Sequence, residues 1–373
     1  MIENKVYGKI RGNLGFGCMR LPRSADGKVD RALFSEMIDA FMASGLNYFD
    51  TAKMYMGGDS EAALRDCLTS RYPREDFVLT DKLSTSFFNT ADDLPALFEG
   101  QLRLCGVEYF DFYLMHAQCK ENYPKYKAAH AYEFGAEMKR QGKVKMFGLS
   151  FHDTAEFLDE ILTENPFVDV VQLQFNYADY EDEENQSRLC YEVAKKHGKP
   201  VIVMEPVRGG GLADLPDGAR ELISTLGNGS PASYAIRFAA SFEGIFMVLS
   251  GMSNIEQVLE NVSYMKNFLP LTEKEKAILL TVGEMLRVER VIPCTSCEYC
   301  IAGCPKRINI PRIFKAMNHK TRCTGRAPYA YAKAVREGGR ASDCIGCGEC
   351  ERICPQHIEI PKLLAECAEA FDK

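Results

Sequence analysis

Eight cysteines near the end of the chain carry the plainest chemistry. Cys294, Cys297, Cys300 and Cys304 fall in a C-x2-C-x2-C-x3-C-P run, and Cys344, Cys347, Cys350 and Cys354 repeat it. A 4Fe-4S cube needs four thiolates around one core. This spacing lets three come from one tight loop while the fourth reaches a second cluster. The expected ligand sets are Cys294, Cys297, Cys300 with Cys354, and Cys344, Cys347, Cys350 with Cys304. Zinc sites usually show two CxxC pairs instead. Disulfides need an oxidising compartment, and nothing at the N-terminus reads as a secretory signal.

A second set of residues suits proton chemistry. Asp50, Tyr55, Lys82 and His116 each stand at the end of an apolar run or just past it. A phenol is a poor acid near neutrality, with an ordinary pKa of ~10. A lysine beside it is expected to lower that pKa, and a carboxylate keeps the lysine charged and oriented. An imidazole can then donate to a carbonyl oxygen and fix its direction. Singly, Asp50 could cap a helix and His116 could be a satisfied strand-end histidine. Together the four point to one site.

Positioning them falls to a repeating pattern of short apolar runs and longer amphipathic ones. Strands are expected at 14–18, 46–50, 77–80, 110–116, 146–150, 170–174, 201–205 and 246–250. Helices are expected between them, among others at 31–43, 61–70, 92–104, 154–163, 183–196 and 232–240. This alternation makes right-handed βαβ units and a parallel sheet. Eight units over about 250 residues predict a (β/α)8 TIM barrel, whose reactive residues sit at the C-terminal ends of strands. A doubly wound sheet would carry G-x-G-x-x-G after its first strand, and none is present. Helices at 256–264 and 273–287 close the barrel, the second capped by Thr272. Residues 1–13 are expected to form a small hairpin under it. The predicted division is a barrel over 1–290 and an iron–sulfur domain over 291–373.

The five-residue step in Phe49-Asp50-Thr51-Ala52-Lys53-Met54-Tyr55, followed by Ser60-Glu61 and joined by Lys82 and His116, resembles the catalytic tetrad of the aldo-keto reductases. The resemblance covers about residues 5–290. It implies Tyr55 as general acid, Lys82 as the group that tunes it, Asp50 as the partner of Lys82, and His116 as the residue that orients the carbonyl. Members of that family hold a nicotinamide carboxamide with a Ser-Asn pair and a Gln. Ser150 and Gln172 match, while Phe151 replaces the Asn. Met204 stands where a tyrosine usually stacks on the ring. Aligning on Glu260-Asn261 puts Gly251-Met252 and Gln257 where a Lys-Ser pair and an Arg often grip a 2′-phosphate.

The cofactor residues implied by the resemblance are Ser150, Gln172, Met204, Arg208, Gly209, Gly210, Gly251, Ser253, Gln257 and Asn261, with NAD favoured over NADP. Glycine-rich stretches at 209–211 and 251–254 offer backbone N–H groups to phosphates. FMN could use the same loops, with Phe151 or Met204 against its isoalloxazine.

The cysteine repeat extends to Ile308, Ile310 and Pro311, matched by Ile358, Ile360 and Pro361. The segment 294–373 closely resembles a duplicated two-cluster ferredoxin, with an insertion expected as helices over 311–318 and 328–337. Nicotinamide passes two electrons as hydride, whereas a 4Fe-4S cluster passes one at a time, so coupling the two would call for a converter such as flavin.

The net charge of −7 argues against nonspecific nucleic-acid binding. No apolar run nears the ~20 residues that span a bilayer. Fifteen cysteines fit a reducing cytoplasm, of an anaerobe or microaerobe. Between Pro305 and Arg340 ten Lys/Arg face one acid, Glu337. Those cations either offset cluster charge or dock an anionic substrate or an acidic ferredoxin or flavoprotein partner. The leading reading is an iron–sulfur oxidoreductase that reduces a carbonyl, or another polarised double bond, of a small molecule. Alternatives are a flavin-containing electron-transfer oxidoreductase and a non-catalytic redox sensor, the last disfavoured by four intact tetrad residues.

Overall fold

The computed structural model describes residues 8–183, 185–227, 229–288, 291–292, 294, 296–321, 326–336, 338–354 and 356–372. The expected N-terminal hairpin falls mostly outside them, and residues 8–13 contain no strand. The chain forms two compact units, Met1–Pro206 with Ala232–Leu279, and Val207–Pro231 with Leu280–Lys373.

The first unit is built on eight strands: β1 Leu14–Gly17, β2 Tyr48–Asp50, β3 Val78–Leu83, β4 Phe110–Gln118, β5 Val144–Phe151, β6 Val170–Gln174, β7 Val201–Met204 and β8 Ile245–Gly251. They pair in sequence order and close as a barrel, every pairing parallel, with β8 returning to β1. Side chains alternate along a strand, so each strand serves two layers. Outside the barrel, Phe16 and Phe49 pack with Phe41 of the helix Arg31–Ala43 at ring separations of 5.5–5.9 Å. Inside, Tyr48, Val78, Phe112, Leu114, Met146, Val170, Ile202, Met247 and Leu249 form one buried cluster.

Two residues further along the same inward rows, the chemistry changes. Asp50 follows Tyr48, His116 follows Leu114, Ser150 follows Gly148, and Gln172 follows Val170. Lys82 stands beyond Thr80, whose hydroxyl donates to Tyr48 Oη at 2.7 Å. The polar layer rests directly on the apolar plug. Its members are held by strands rather than loops.

Between β4 and β5 run two helices, Tyr123–Ala128 and Ala131–Arg140, which the hydrophobic pattern did not reveal. The helix expected at 61–70 is split: Ser60–Leu64 is α-helical, and Arg65–Thr69 widens so that Ser70 N–H reaches Arg65 O at 3.0 Å. Thr272 does cap Glu273–Val288, its Oγ1 accepting from Glu275 N–H at 3.3 Å.

In the second unit the sequence repeat is also a backbone repeat. Ser296 and Gly346, Glu298 and Gly348, and Arg307 and His357 are matched pairs, all with φ between 50° and 75°. The short helices Tyr299–Ala302 and Glu349–Arg352 carry Cys300 and Cys350. The longer helices Ile310–Thr321, Ala327–Ala334 and Ile360–Phe371 bury Phe314, Tyr331 and Leu364 in a common core with both cysteines. The insertion helices thus begin near the expected positions and pack rather than trail.

Candidate functional site

At the C-terminal rim of the barrel, Lys82 Nζ donates to Asp50 Oδ1 at 2.5 Å and to Thr51 O at 2.8 Å. Both side chains are buried. The same ammonium stands 4.8 Å from the centre of the Tyr55 ring. Tyr55 opens a tight turn, Tyr55–Gly58, with Met56 and Gly57 at positive φ. Beyond the turn, Arg31 forks onto both oxygens of Asp59 at 2.6 Å, fixing the loop's far end. The Tyr55 and His116 rings meet edge to face at 5.7 Å. All four residues singled out for proton chemistry therefore meet at one place.

His116 owes its position to an irregularity. The β4–β5 register shifts between Met115 and Gln118, and Ala117 takes φ 52°. Such a bulge ends pairing and re-aims the adjacent side chain. Ser150 Oγ accepts from Ala117 N–H at 2.7 Å, and Tyr126 Oη lies 2.8 Å from His116 O and 2.7 Å from Leu83 O, its single hydrogen shared between the two carbonyls. On the ring itself, His116 Nδ1 lies 2.6 Å from Ser84 Oγ.

The electrostatics correct one expectation. Burial raises the Tyr55 phenol above its ordinary pKa, and the opposing pull of Lys82 only partly offsets it. Net acidification of the phenol does not occur. For Lys82, burial pulls the pKa down, but the charges of Asp50 and Tyr55 overcome it and the ammonium is held above its usual value. Burial, then Lys82, then His152 drive the His116 pKa well below its usual value, so the ring is neutral at pH 7.

The expected cofactor residues separate into groups. Ser150 and Gln172 face the site, but Gln172 Nε2 donates to Asp50 Oδ2 at 3.1 Å. Met204 ends β7, half-buried. Gly251 is exposed at the end of β8. Ser253 N–H donates to Gln257 Oε1 at 2.7 Å, and Gln257 N–H to Asn254 Oδ1 at 2.9 Å, a reciprocal cap on the helix Ile255–Met265. Asn261 is the more enclosed of the expected contacts on that helix. It is buried, donates to Ser250 Oγ at 2.9 Å, and accepts from Tyr264 Oη at 2.5 Å. Arg208, Gly209 and Gly210 form a turn belonging to the second unit. Phe151 is buried 6.3 Å from Phe157, in the layer between strands and helices, so it offers no face to a flavin ring.

Sequence reasoning missed Arg20, Glu205 and Ser84. Arg20 forks onto Glu205 Oε1 at 3.1 Å and its carbonyl accepts from Ser253 Oγ at 2.7 Å, putting a paired cation beside Gly251. Also missed was Asp81 of β3, buried beside Cys105 and Glu61. Burial raises both carboxyls, Asp81 strongly, and the charge of Glu61 raises Asp81 further.

In the second unit, one cavity is lined by Cys294, Cys297, Cys300 and Cys354. Another is lined by Cys304, Cys344, Cys347 and Cys350. Each cavity draws its cysteines from both halves of the repeat. Lys306 lines the second, and Arg340 pairs with Asp372 at 3.4 Å. Among the described residues no helix is long and apolar enough to cross a membrane.

Comparison with known proteins gives two domain matches, the aldo/keto reductase family over residues 13–282 and the 4Fe-4S dicluster domain over residues 293–359. The chain is 24% identical over 307 residues to the NADH-specific methylglyoxal reductase of Escherichia coli K12, covering 70% of this chain and 90% of the relative. It is 23% identical over 293 residues to the uncharacterized oxidoreductase YqkF of Bacillus subtilis 168, covering 70% and 89%. Among solved structures, the holo form of aldo-keto reductase AKR11C1 from Bacillus halodurans superposes with a TM-score of 0.60 at 22% identity, over 73% of this chain and 92% of that one. An aldo-keto reductase from Klebsiella pneumoniae in complex with NADPH gives 0.59 at 20% identity, over 73% and 90%.

Proposed function

The chain belongs to the aldo/keto reductase family and carries a C-terminal 4Fe-4S dicluster domain, and from that premise we propose that it reduces a small-molecule carbonyl with Tyr55 as proton donor. One observation supports this above the rest: Asp50, Lys82, Tyr55 and His116 converge at the barrel rim, with Lys82 bonded to Asp50 and set against the phenol.

Nicotinamide, when bound, supplies the hydride for carbon. As negative charge gathers on the carbonyl oxygen, the Tyr55 O–H bond breaks and its proton moves to that oxygen. The phenolate left behind lies beside an ammonium that Asp50 holds charged. This is preorganised electrostatic stabilisation. An ammonium has three donors, and Asp50 and Thr51 take two of those of Lys82. Neutral His116 donates to the same carbonyl oxygen and fixes its direction. Ser150, Gln172 and Met204 would border the nicotinamide, and Gly251 with Ser253 the phosphates.

The test is Tyr55→Phe, which keeps the ring and removes the proton. Carbonyl reduction should fall by at least a hundredfold, about 2.7 kcal/mol of barrier, with nucleotide affinity and iron content unchanged. Methylglyoxal is the first substrate to try, since it is the substrate of the Escherichia coli relative. Activity within about threefold of the parent, under ~1 kcal/mol, would remove Tyr55 from the reaction.

We further propose that NADH binds at least as well as NADPH. Gly251, buried Met252 and Gln257 bring no cation to a 2′-phosphate, and nearby Arg20 is already forked onto Glu205. Desolvating that phosphate would go uncompensated. A tenfold preference for NADPH in a titration of both nucleotides, about 1.4 kcal/mol, would overturn this.

The two cysteine-lined cavities fit 4Fe-4S clusters, whose chemistry is one-electron transfer. Cys294, Cys297, Cys300 and Cys354 would hold one, and Cys304, Cys344, Cys347 and Cys350 the other. Cys297 and Cys347 are exposed, as is Ile345 beside Cys347, and this surface supports exchange with a ferredoxin or flavoprotein partner.

A further inference from the structure

Ser84 is the first residue past β3, two positions after Lys82, in extended backbone. Its Oγ lies 2.6 Å from His116 Nδ1, and both side chains are buried, 4% and 9% exposed. The contact is framed by Tyr126, whose hydroxyl bridges the carbonyls of Leu83 and His116, each adjacent to or part of the pair. The backbone beside Ser84 and the backbone of His116 are therefore tied to one hydroxyl.

A neutral imidazole carries one proton, and the hydrogen bond made at one nitrogen decides which nitrogen that is. Were Nδ1 protonated, it would donate to Ser84 Oγ, and the hydroxyl hydrogen would need another acceptor. Among the described residues no other hydrogen-bond partner of Ser84 Oγ is found. Burying that hydrogen without an acceptor is unfavourable. With Nδ1 unprotonated, the serine donates to it, and both Nδ1 and the hydroxyl hydrogen are satisfied. The ring proton then sits on Nε2.

We propose that Ser84 is a positioning residue that fixes His116 as the Nε2–H tautomer, leaving Nε2 as the donor to a substrate carbonyl oxygen. The catalytic consequence rests on the carbonyl-reductase reading above, but the tautomer itself does not. Without Ser84 the imidazole would exchange between tautomers, and in one of them Nε2 would face the carbonyl oxygen with a lone pair.

Nitrogen-15 NMR of histidine-labelled protein reads the tautomer directly and needs no substrate. The His116 resonances are assigned by their loss in His116→Gln. The unaltered protein should show a protonated Nε2 and an unprotonated Nδ1, and Ser84→Ala should move both shifts toward averaged values. Ser84→Thr retains the hydroxyl and should restore the parent pattern. In turnover, Ser84→Ala should lower kcat for methylglyoxal about tenfold with the KM for NADH unchanged, and Ser84→Thr should recover most of it. A proton on Nδ1 in the unaltered protein, or shifts that do not respond to Ser84→Ala, would overturn the proposal. The expected shifts in a protein that reduces no carbonyl would uphold it while removing the carbonyl-reductase reading.

Discussion

Tyr55 illustrates how position and acidity part company. Its place at the rim beside Lys82 and His116 is legible from the five-residue step after Asp50. The sign of its pKa shift is not legible. The sequence shows Lys82 nearby but not how deeply the phenol is buried, and burial outweighs the lysine. The consequence is a pH prediction with a definite sign. Tyr55, raised from about 10, stays protonated across the neutral range, and His116, depressed from about 6.5, stays neutral across it. Carbonyl reduction should therefore hold a flat kcat/KM from about pH 6.5 to about pH 9. Oxidation of the alcohol needs the phenolate as base, so it should climb with pH over the same interval. An alkaline limb in the reductive profile with a midpoint below about 9 would show that the phenol is acidified after all. Ser84 and Arg20 lay beyond reach for a different reason. A serine hydroxyl and an arginine carry no spacing signal, and only the closed barrel brings each to its partner.

At the scale of elements, the strands were legible because a barrel strand must be apolar on its outer face and, at its lower end, on its inner face too. All eight lie where the apolar runs are, with ends shifted by a residue or a few. The helices Tyr123–Ala128 and Ala131–Arg140 were not legible. His130 at φ 51° breaks them apart, and Gly135 sits where Phe147 presses against the helix. The β4 bulge was equally hidden, since nothing in Met115-His116-Ala117-Gln118 announces a register shift. Glycine marks close approaches between elements, and Gly148 is one of them. A Cβ there would lie 2.4 Å from Val170 O and 2.8 Å from Leu114 Cδ2, inside the barrel. Gly148 pairs with Val170, and Ser150, two residues on, pairs with Gln172. Gly148→Ala should therefore lower stability by about 1–3 kcal/mol by overpacking and displace the row that holds Ser150. Gly100→Ala is the matching control. It lies inside the helix Asp93–Cys105 with only the far end of Arg103 within 4 Å, so helix propensity should stabilise by up to about 1 kcal/mol. Denaturant unfolding followed by far-ultraviolet circular dichroism separates the two, and equal effects of the same sign would refute the close-packing argument.

The presence of two kinds of chemistry in one chain was legible from the cysteine runs alone, since their spacing has no use in a barrel. That Val207–Pro231 groups with Leu280–Lys373 was not, because chain order suggests a single boundary near residue 290. Ligand pairing across the repeat is where the whole molecule matters most. The fourth cysteine of each run lines the cavity of the other run's first three. Single substitutions would each cost one cluster and so cannot tell crossed from uncrossed ligation, but pairs can. The parent should hold about eight iron atoms in two 4Fe-4S clusters. Cys304→Ser with Cys344→Ser strikes only one crossed set, so about four iron atoms should remain, as many as in either single variant. Cys304→Ser with Cys294→Ser strikes both crossed sets and should leave almost none. Uncrossed ligation reverses the two results, because Cys294 and Cys304 would then share a cluster while Cys304 and Cys344 would not. Iron and acid-labile sulfide measured on anaerobically purified protein decide between them. The cavity linings favour the crossed outcome, since a fourth ligand drawn from its own run would lie on the wall of the other cavity.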